Sequence, residues 1–252
     1  MSPTRTAHLA VWSDFGGVLT PPIAHTMGTF CKRQGIDPGV LQQALGTVTA
    51  RYGTRDIMEP IDTPLVSEEA WLAEISEVLD KEHGVSGVRL STLADAWFDG
   101  RETNHAWVAQ LRTARARGAF VGMLSNMVPT WDAHWRRMVD VPALFDDVVL
   151  SFEVGARKPA PRMFALAAER AGVPAERCVL VDDLDHNCAG AEAAGWQAVH
   201  FTGTEAAAGR LTALLDAAGA PAAFAPAATA AVPAPVPAAP EDRDADREGA
   251  DR

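Results

Sequence analysis

Five short runs of apolar and β-branched residues recur along the chain, and each predicts a buried strand. The first lies within VWSDFGGVLT (11–20), and the others are AFVGMLS (119–125), DVVLS (147–151), RCVLVD (177–182) and QAVHF (197–201). Segments of helical composition separate the later runs, roughly at 129–139, 160–171 and 187–194. Short buried strands that alternate with helices are typical of a parallel sheet with helices on both faces. We therefore predict an α/β fold.

The first and second runs are separated by about a hundred residues, which hold helical segments and no clear strand. EEAWLAEISEVLDKEHG (68–84) is one such segment, and Ser67 is its predicted N-cap. Because this gap is too long for a single crossover connection, we predict that residues 21–100 form an inserted, mainly helical cap. NHAWVAQLRTARAR (104–117) is then the helix that leads back into the sheet.

The predicted core comprises residues 1–20 and 101–216, because the composition changes from Ala217 onward. There the chain becomes almost entirely alanine and proline, and EDRDADREGADR follows. Frequent prolines break helices and remove hydrogen-bond donors, and charged repeats bury too little area to offset chain entropy. Residues 217–252 are therefore predicted to form a disordered tail.

The bulk properties exclude several classes of partner. The formal net charge is −11, which disfavours binding to nucleic acid or to an anionic membrane. No run approaches the roughly 18 consecutive apolar residues of a membrane span, and the N-terminus lacks the regions of a secretory signal. Cys31, Cys178 and Cys188 have no CxxC spacing, so we expect free thiols in a cytoplasmic protein. A homodimer is compatible with the sequence, although no pattern in it specifies the oligomeric state.

Polar residues stand at the ends of three predicted strands. Asp14, Ser125 and Asp182 each terminate one of the apolar runs. Taken singly, such residues are usually turn formers or helix caps. Asp183 could likewise be a turn residue, and Lys158 a solvated surface charge. In open parallel sheets, however, the carboxyl ends of the strands meet at one edge, where ligands bind. We therefore expect carboxylates, a hydroxyl group and one cation to meet there.

These groups suit phosphoryl transfer. A carboxylate that attacks phosphorus forms an acyl phosphate and so divides a difficult hydrolysis into two easier steps. A hard cation such as Mg²⁺, bound by oxygen ligands, offsets the repulsion between that carboxylate and an anionic substrate. A lysine adds positive charge, and a hydroxyl with backbone N–H groups at a helix start holds phosphate oxygens. Glycines after the nucleophile let the backbone approach closely.

Four segments of the chain resemble, in order, the four motifs of the haloacid dehalogenase superfamily. They are DFGGVLT (14–20), LSN (124–126), EVGARKP (153–159) and VDDLDHN (181–187). The chain looks most like the phosphatase branch with a helical cap, similar to the N-terminal phosphatase domain of soluble epoxide hydrolases. The resemblance covers about residues 8–205. It implies a Rossmann-like core and Mg²⁺-dependent hydrolysis of a small phosphorylated metabolite through an aspartyl-phosphate.

The resemblance also implies roles for the residues of the reacting centre. Asp14 matches the nucleophile, which is also a magnesium ligand. Lys158 matches the lysine that steadies the nucleophile and the developing charge. Asp183 is the better match for a further metal ligand, and Asp182 matches a residue of the metal site that orients Asp183 or a bound water. The backbone oxygen of Gly16 matches the carbonyl ligand of the metal.

Substrate-binding roles follow from the same motifs. Ser125 and Asn126 match the residues that hold the phosphate, and Gly17 lets the backbone approach the transferring group. Asn187 closes the acidic loop, either as a partner of the metal ligands or as the cap of the following helix.

The chain departs from the phosphatase pattern at Gly16. Phosphatases of the family usually carry a second aspartate there, which protonates the leaving oxygen and then activates water. Such general acid–base help is worth roughly 10²–10⁴ in rate. A phosphatase without it would need a good leaving group, such as that of a sugar-1-phosphate, or an acid from elsewhere. Asp132, His134 and His25 are conceivable donors.

Two alternatives remain open. Metal-independent 2-haloacid dehalogenases of the family also lack that second aspartate, but their fourth motif does not resemble a double aspartate. Without a cation, Asp182 and Asp183 beside Asp14 would only gather like charges, so metal-dependent phosphate chemistry is the preferred interpretation. The other alternative is a non-catalytic homologue that binds a phosphorylated ligand or a partner protein.

Overall fold

The computed structural model describes residues 9–88, 90 and 93–219, and its centre is one parallel sheet of five strands. The strands are β1 (Ala10–Ser13), β2 (Phe120–Ser125), β3 (Asp147–Leu150), β4 (Cys178–Asp182) and β5 (Gln197–His200). Their order across the sheet is β3-β2-β1-β4-β5. One strand lies at each predicted apolar run, so the predicted α/β class is confirmed.

Twelve α-helices surround or extend this sheet in the part of the chain that the structure describes. Six precede β2: α1 (Ile23–Gln34), α2 (Pro38–Arg51), α3 (Glu59–Asp62), α4 (Glu68–His83), α5 (Leu93–Phe98) and α6 (His105–Ala116). Six follow it: α7 (Asp132–Trp135), α8 (Val141–Leu144), α9 (Ser151–Val154), α10 (Pro161–Ala171), α11 (Asp185–Ala193) and α12 (Thr204–Ala218). No helix among the described residues is long and apolar enough to cross a membrane.

Strand β1 lies at the centre of the sheet and is buried on both faces. Val11 packs into the cluster on one face, while Ala10 and Trp12 pack into the cluster on the other, as the alternation of side chains along a strand requires. The neighbouring β2 makes room for the large indole at Gly122, where a Cβ would lie 2.4 Å from the Trp12 ring. This packing fixes β1 and therefore the residue that follows it.

Five helices, α1 to α5, occupy the chain between β1 and α6. Helix α4 begins after its predicted N-cap residue, Ser67, whose Oγ accepts a hydrogen bond of 3.2 Å from the Ala70 N–H. It ends at Gly84, whose φ of 66° suits a glycine C-cap. The segment is anchored where it rejoins the core, because the Asn104 N–H donates to the Leu19 carbonyl oxygen at 2.8 Å.

One expected helix is wrong, and one helix of the structure was not expected. The chain at 129–139 is not one helix: a 3-10 turn at Pro129–Trp131 leads into the four residues of α7, and i→i+3 bonds then tighten the chain. Helix α12 was not expected, and its last two residues, Ala217 and Ala218, fall in the segment predicted as the tail. Residues 220–252, on which the rest of the predicted disordered tail falls, lie outside the described residues.

Candidate active site

The carboxyl ends of three adjacent strands bring the motif residues together. Asp14 follows β1 directly, and its N–H donates to the Val181 carbonyl oxygen of β4 at 2.9 Å. Ser125 is the last residue of β2 and Asp182 the last of β4. Because β1 pairs with both of these strands, all three side chains reach the same edge of the sheet.

A cavity of about 110 Å³ opens at this edge, between the sheet and the helical segment. The sheet side contributes Asp14, Gly16, Ser125, Asn126, Lys158, Asp183 and Asn187, and the helical segment with its return contributes Ile23, Asp56, Met58, Asp62, Trp97, Phe98 and Arg101. The cavity therefore joins a polar floor to a largely apolar wall.

Lys158 links two carboxylates on the floor of this cavity. Its Nζ lies 2.8 Å from Asp14 Oδ1 and 2.5 Å from Asp182 Oδ2, and its side chain is 1% exposed. Burial lowers the pKa of Lys158, but the charges of Asp14 and Asp182 outweigh burial and leave this pKa above its ordinary value. Lys158 is thus a fixed cation beside Asp14, held by charge-assisted hydrogen bonds.

Asp182 has partners on both of its carboxylate oxygens. Oδ2 accepts from Lys158, while Oδ1 accepts from the Leu184 N–H at 2.9 Å and from Asn187 Nδ2 at 3.0 Å. The side chain is fully buried. Asp182 and Asn187 therefore fix the position of Lys158 and of the loop that carries Asp183.

Asp183 differs from its neighbour, because its Oδ1 is buried without a hydrogen-bond partner among the described residues. One oxygen each from Asp14, Asp182 and Asp183 lies within 4.8 Å of the others. Burial raises the pKa of Asp183 to about 7, and the charges of Asp14 and Asp182 add to this effect. A set of clustered carboxylates with a free oxygen matches the oxygen ligands that Mg²⁺ prefers.

Gly17 allows Asp183 to approach the nucleophile. Its φ is +82°, and a Cβ at this position would lie 1.9 Å from Asp183 Oδ2. A side chain is therefore excluded both by the backbone conformation and by the carboxylate.

Asn126 is engaged with the backbone of Lys158 in this structure. Its Nδ2 donates to the Lys158 carbonyl oxygen at 3.0 Å, and its Oδ1 accepts from the Lys158 N–H at 2.8 Å. The Ser125 side chain, by contrast, forms none of the side-chain hydrogen bonds found among the described residues, and it lines the cavity. Of the two residues expected to hold phosphate, Ser125 is the one whose side chain is available.

Comparison with known proteins identifies the family. Residues 10–195 match the haloacid dehalogenase-like hydrolases. The chain belongs to this family. The predicted membership of the superfamily is thereby confirmed, while the narrower resemblance to the phosphatase domain of soluble epoxide hydrolases stays a prediction.

Sequence relatives of this hydrolase include phosphatases. A phosphoserine phosphatase of Thermus thermophilus is 32% identical over 166 residues, which are 62% of this chain and 63% of that protein. The match therefore spans less than two thirds of that relative.

Solved structures share the fold of this hydrolase. A HAD family enzyme of Bacteroides thetaiotaomicron, in complex with magnesium and inorganic phosphate, has a TM-score of 0.55 at 21% identity and covers 76% of this chain and 93% of its own. The L-2-haloacid dehalogenase of Xanthobacter autotrophicus has a TM-score of 0.56 at 18% identity, with 82% and 83% covered. At these identities the likeness concerns the fold alone.

Two arginines that sequence reasoning did not single out line the cavity of the hydrolase. Arg157 forms ion pairs with Asp62 Oδ1 at 3.0 Å and Asp56 Oδ2 at 2.9 Å, and so joins the helical segment to the residue before Lys158. Arg101 Nη2 donates to Thr20 Oγ1 at 2.7 Å. The position of Arg157 beside Lys158 in EVGARKP was a usable signal, but no motif marks Arg101.

The three conceivable proton donors do not line the cavity among the described residues. Asp132 accepts from Trp135 Nε1 at 3.1 Å and from Arg136 Nε at 2.7 Å. His134 stacks on the Phe98 ring with the centroids 5.3 Å apart, and His25 is exposed on α1. The geometry therefore offers no support for any of the three as the replacement acid.

Aromatic residues form the apolar wall opposite the carboxylates. Trp97 and Trp131 stack with their centroids 5.4 Å apart, and Phe98 meets Trp131 edge-on at 5.6 Å. Trp131 Nε1 donates to Glu68 Oε1 at 2.8 Å, which connects the wall to the start of α4. The wall is therefore a packed surface shared by the helical segment and the core.

Proposed function

We propose that this hydrolase is a Mg²⁺-dependent phosphatase that cleaves a small phosphomonoester through an aspartyl-phosphate on Asp14. The observation that carries the proposal is the meeting of Asp14, Asp182 and Asp183 within 4.8 Å, with Lys158 bonded to two of them. Its phosphoserine phosphatase relative and the magnesium and phosphate complex of a similar fold support the same chemistry.

The residues present fit a magnesium ion. Asp182 has both oxygens engaged, so the ligands that remain are Asp14, the unpartnered oxygen of Asp183 and the backbone oxygen of Gly16. When bound there, the ion would offset the repulsion between the Asp14 carboxylate and the substrate phosphate.

The proposed reaction has two steps on Asp14. One carboxylate oxygen attacks phosphorus, the ester P–O bond breaks, and the electron pair of that bond stays on the leaving oxygen. Water then attacks the acyl phosphate, which returns the carboxylate and releases inorganic phosphate. Lys158 holds the attacking carboxylate in place, and Ser125 with the backbone after β2 contacts the phosphate oxygens.

The helical segment at 21–100 acts in this proposal as the cap over the core formed by 1–20 and 101–216. Ile23, Met58 and Trp97 from that segment line the cavity, so they would exclude water from the reacting groups and contact the rest of the substrate. We place the enzyme and its small phosphorylated substrate in the cytoplasm, in line with the free cysteines among the described residues.

Phosphate release from p-nitrophenyl phosphate tests the proposal, because this ester has a good leaving group and needs least help from an acid. We expect turnover that requires Mg²⁺, that is lost in Asp14→Asn and that persists in the control Asp216→Asn, whose side chain is 65% exposed on α12. Folded protein without Mg²⁺-dependent turnover, or an active Asp14→Asn, would contradict the proposal.

A 2-haloacid dehalogenase is the second candidate, and the glycine at 16 is the observation that favours it. That chemistry replaces a carbon–halogen bond and needs neither a metal nor an acid at the leaving group. Halide release from 2-chloropropionate in the presence of a chelator distinguishes the two. We expect none; release without phosphatase activity would establish the second candidate, and neither activity would favour a ligand-binding homologue.

A further inference from the structure

Arg101 faces the position from which an acid is missing. A Cβ at Gly16 would lie 4.0 Å from Arg101 Nη2 and 3.8 Å from the Ile23 side chain, both ordinary contact distances. The φ of Gly16 is not in the left-handed region, so its backbone would accept a side chain. The space beside the nucleophile is therefore bordered by a guanidinium group rather than filled by a carboxylic acid.

The guanidinium is held in a fixed place. Arg101 Nη2 donates to Thr20 Oγ1 at 2.7 Å and to the Pro21 carbonyl oxygen at 3.2 Å. Its Cζ lies 5.6 Å from the ring centroid of Trp97 and 5.7 Å from that of Phe98, which is within cation–π distance. Two consecutive residues and two rings thus orient Arg101 toward the cavity.

Arg101 also has a hydrogen-bond donor and a positive charge that no group among the described residues pairs with directly. Its Nε is buried without a hydrogen-bond partner, and it forms none of the ion pairs found among the described residues. Arg157, in contrast, pairs with Asp56 and Asp62. Burial lowers the pKa of Arg101 to about 10, so the group remains a cation near neutral pH. The negative charges of Asp14 and Asp183 act on this largely buried cation, but neither carboxylate forms an ion pair with it among the described residues. An anion in direct contact with Arg101 would therefore reduce the cost of burying its charge.

We propose that Arg101 contacts the leaving-group oxygen and stabilises the negative charge that develops there, in place of a proton donor at position 16. This inference rests on the proposed phosphatase function. Arginine donates hydrogen bonds but does not give up its proton in proteins. The electron pair of the broken P–O bond therefore stays on an oxygen that departs as an anion and takes its proton from water.

This arrangement defines the substrate class as aryl phosphates. An oxygen that leaves as an anion must be a weak base, and a phenolic oxygen is far less basic than an alcoholic one. The wall formed by Trp97, Phe98 and Trp131 matches an aromatic leaving group by stacking.

The first test compares phenyl phosphate with cyclohexyl phosphate, two esters of similar size that differ in the basicity of the leaving oxygen. We expect kcat/KM to be higher for phenyl phosphate by about 10² or more, the scale of a missing general acid. Equal rates for both esters would overturn the inference and leave the phosphatase function standing. No Mg²⁺-dependent turnover of either ester or of p-nitrophenyl phosphate would remove both proposals.

The second test measures how the rate depends on the leaving-group pKa across substituted phenyl phosphates. In Arg101→Met we expect kcat to fall about 10²-fold for phenyl phosphate and less for p-nitrophenyl phosphate, which makes the dependence steeper. Arg136→Met is the matched control, since Arg136 also lies over an indole ring, at 4.5 Å, but is exposed and outside the cavity. An equal loss for all esters would overturn the role at the leaving oxygen.

A third test uses a different variant, so that the inference can be tested even if Arg101→Met does not fold. Gly16→Asp has room for its Cβ and places a carboxyl group at the position from which the acid is missing. We expect the ratio of kcat/KM for phenyl phosphate to kcat/KM for cyclohexyl phosphate to fall at least about tenfold in this variant. An unchanged ratio in folded Gly16→Asp would contradict the claim that position 16 faces the leaving group.

Discussion

Gly17 determines at the residue scale whether the acidic cluster can assemble. Gly17→Ala would place a Cβ 1.9 Å from Asp183 Oδ2 at a φ of +82°. We expect phosphatase activity to fall at least about 10²-fold and stability to fall by about 1–3 kcal/mol, because the backbone is strained and Asp183 is displaced. Urea unfolding and steady-state kinetics measure the two effects.

Gly84→Ala provides the matched control for this substitution. Gly84 has a φ of +66° at the end of α4, but a Cβ there meets nothing within 4 Å. It should lose stability through backbone strain and keep its activity. If both alanine variants kept full activity, Gly17 would have no special relation to the site.

Asn126 has two candidate roles, the binding of phosphate and the positioning of Lys158, which one substitution can separate. Asn126→Ala removes two hydrogen bonds to the Lys158 backbone, each worth about 1 kcal/mol. We expect kcat to fall about tenfold or more with a small change in KM, because the lysine shifts while the phosphate contacts remain. A large rise in KM at constant kcat would instead assign Asn126 to phosphate binding.

At the scale of elements, a cluster of ion pairs joins helix α3 to the loop before Lys158. Asp62, the last residue of α3, is 2% exposed and pairs with Arg157. Its backbone oxygen also accepts a hydrogen bond of 2.6 Å from Ser151 Oγ, at the start of α9. Contacts of this kind hold the helical segment in one position relative to the core.

Asp62 also makes stability depend on pH. Burial raises the pKa of Asp62 from its ordinary 3.8 to about 7, so the folded protein retains a proton that the unfolded chain has already lost between these values. Stability contributed by this group therefore falls as the pH rises from about 4 to about 7. Relative to Asp62→Asn, the free energy of unfolding of the natural protein should decline over this range, as urea denaturation would measure. Parallel pH profiles of the two proteins would contradict this expectation.

The elements differ in how well the sequence could predict them. Strands β1, β2 and β4 are buried throughout and are nearly continuous apolar runs, while the edge strands β3 and β5 are partly buried. All five lie within about two residues of the predicted runs. Helix α12 escaped notice because its alanine-rich composition continues into the chain beyond it, which hides the boundary. The helix expected at 129–139 is broken because i→i+3 backbone bonds form a 3-10 turn before α7 and tight turns after it.

The residues of the site also differ in how well the sequence could predict them. Asp14, Ser125 and Asp182 could be predicted because strand ends converge in a parallel sheet. The partners of Arg101 could not, since Thr20 lies 81 positions away and the contact exists only after the helical segment has folded. The pairing of Arg157 with acidic residues of the helical segment likewise depends on how that segment packs.

The clustered carboxylates should make stability depend on divalent cations at the scale of the whole molecule. A ligand that binds only the folded state stabilises it, by about 2.7 kcal/mol at a concentration 100 times its Kd. We expect Mg²⁺ to raise the melting temperature, and Asp183→Asn to remove most of this rise. Without added metal, Asp183→Asn should melt higher than the natural protein, because one of three neighbouring negative charges is gone.

Thermal unfolding with and without Mg²⁺, monitored by circular dichroism, measures both effects. The surface variant Asp216→Asn serves as the control and should respond to Mg²⁺ as the natural protein does. An equal Mg²⁺ response in Asp183→Asn would contradict the assignment of Asp183 as a ligand.

The hydrogen bonds that close the base of the helical segment have a further consequence for how such a protein can diversify. Asn104 bonds to the Val18 and Leu19 carbonyl oxygens, so the chain leaves the sheet and returns to it at neighbouring points. Everything between these points can be lengthened, shortened or exchanged without altering the register of a single strand. Thr20 and Arg101 lie just inside this junction, so an exchange that begins after Pro21 and ends before Arg101 leaves their hydrogen bond in place. New substrates can therefore be acquired by recombination of one module, while the reacting groups keep their geometry.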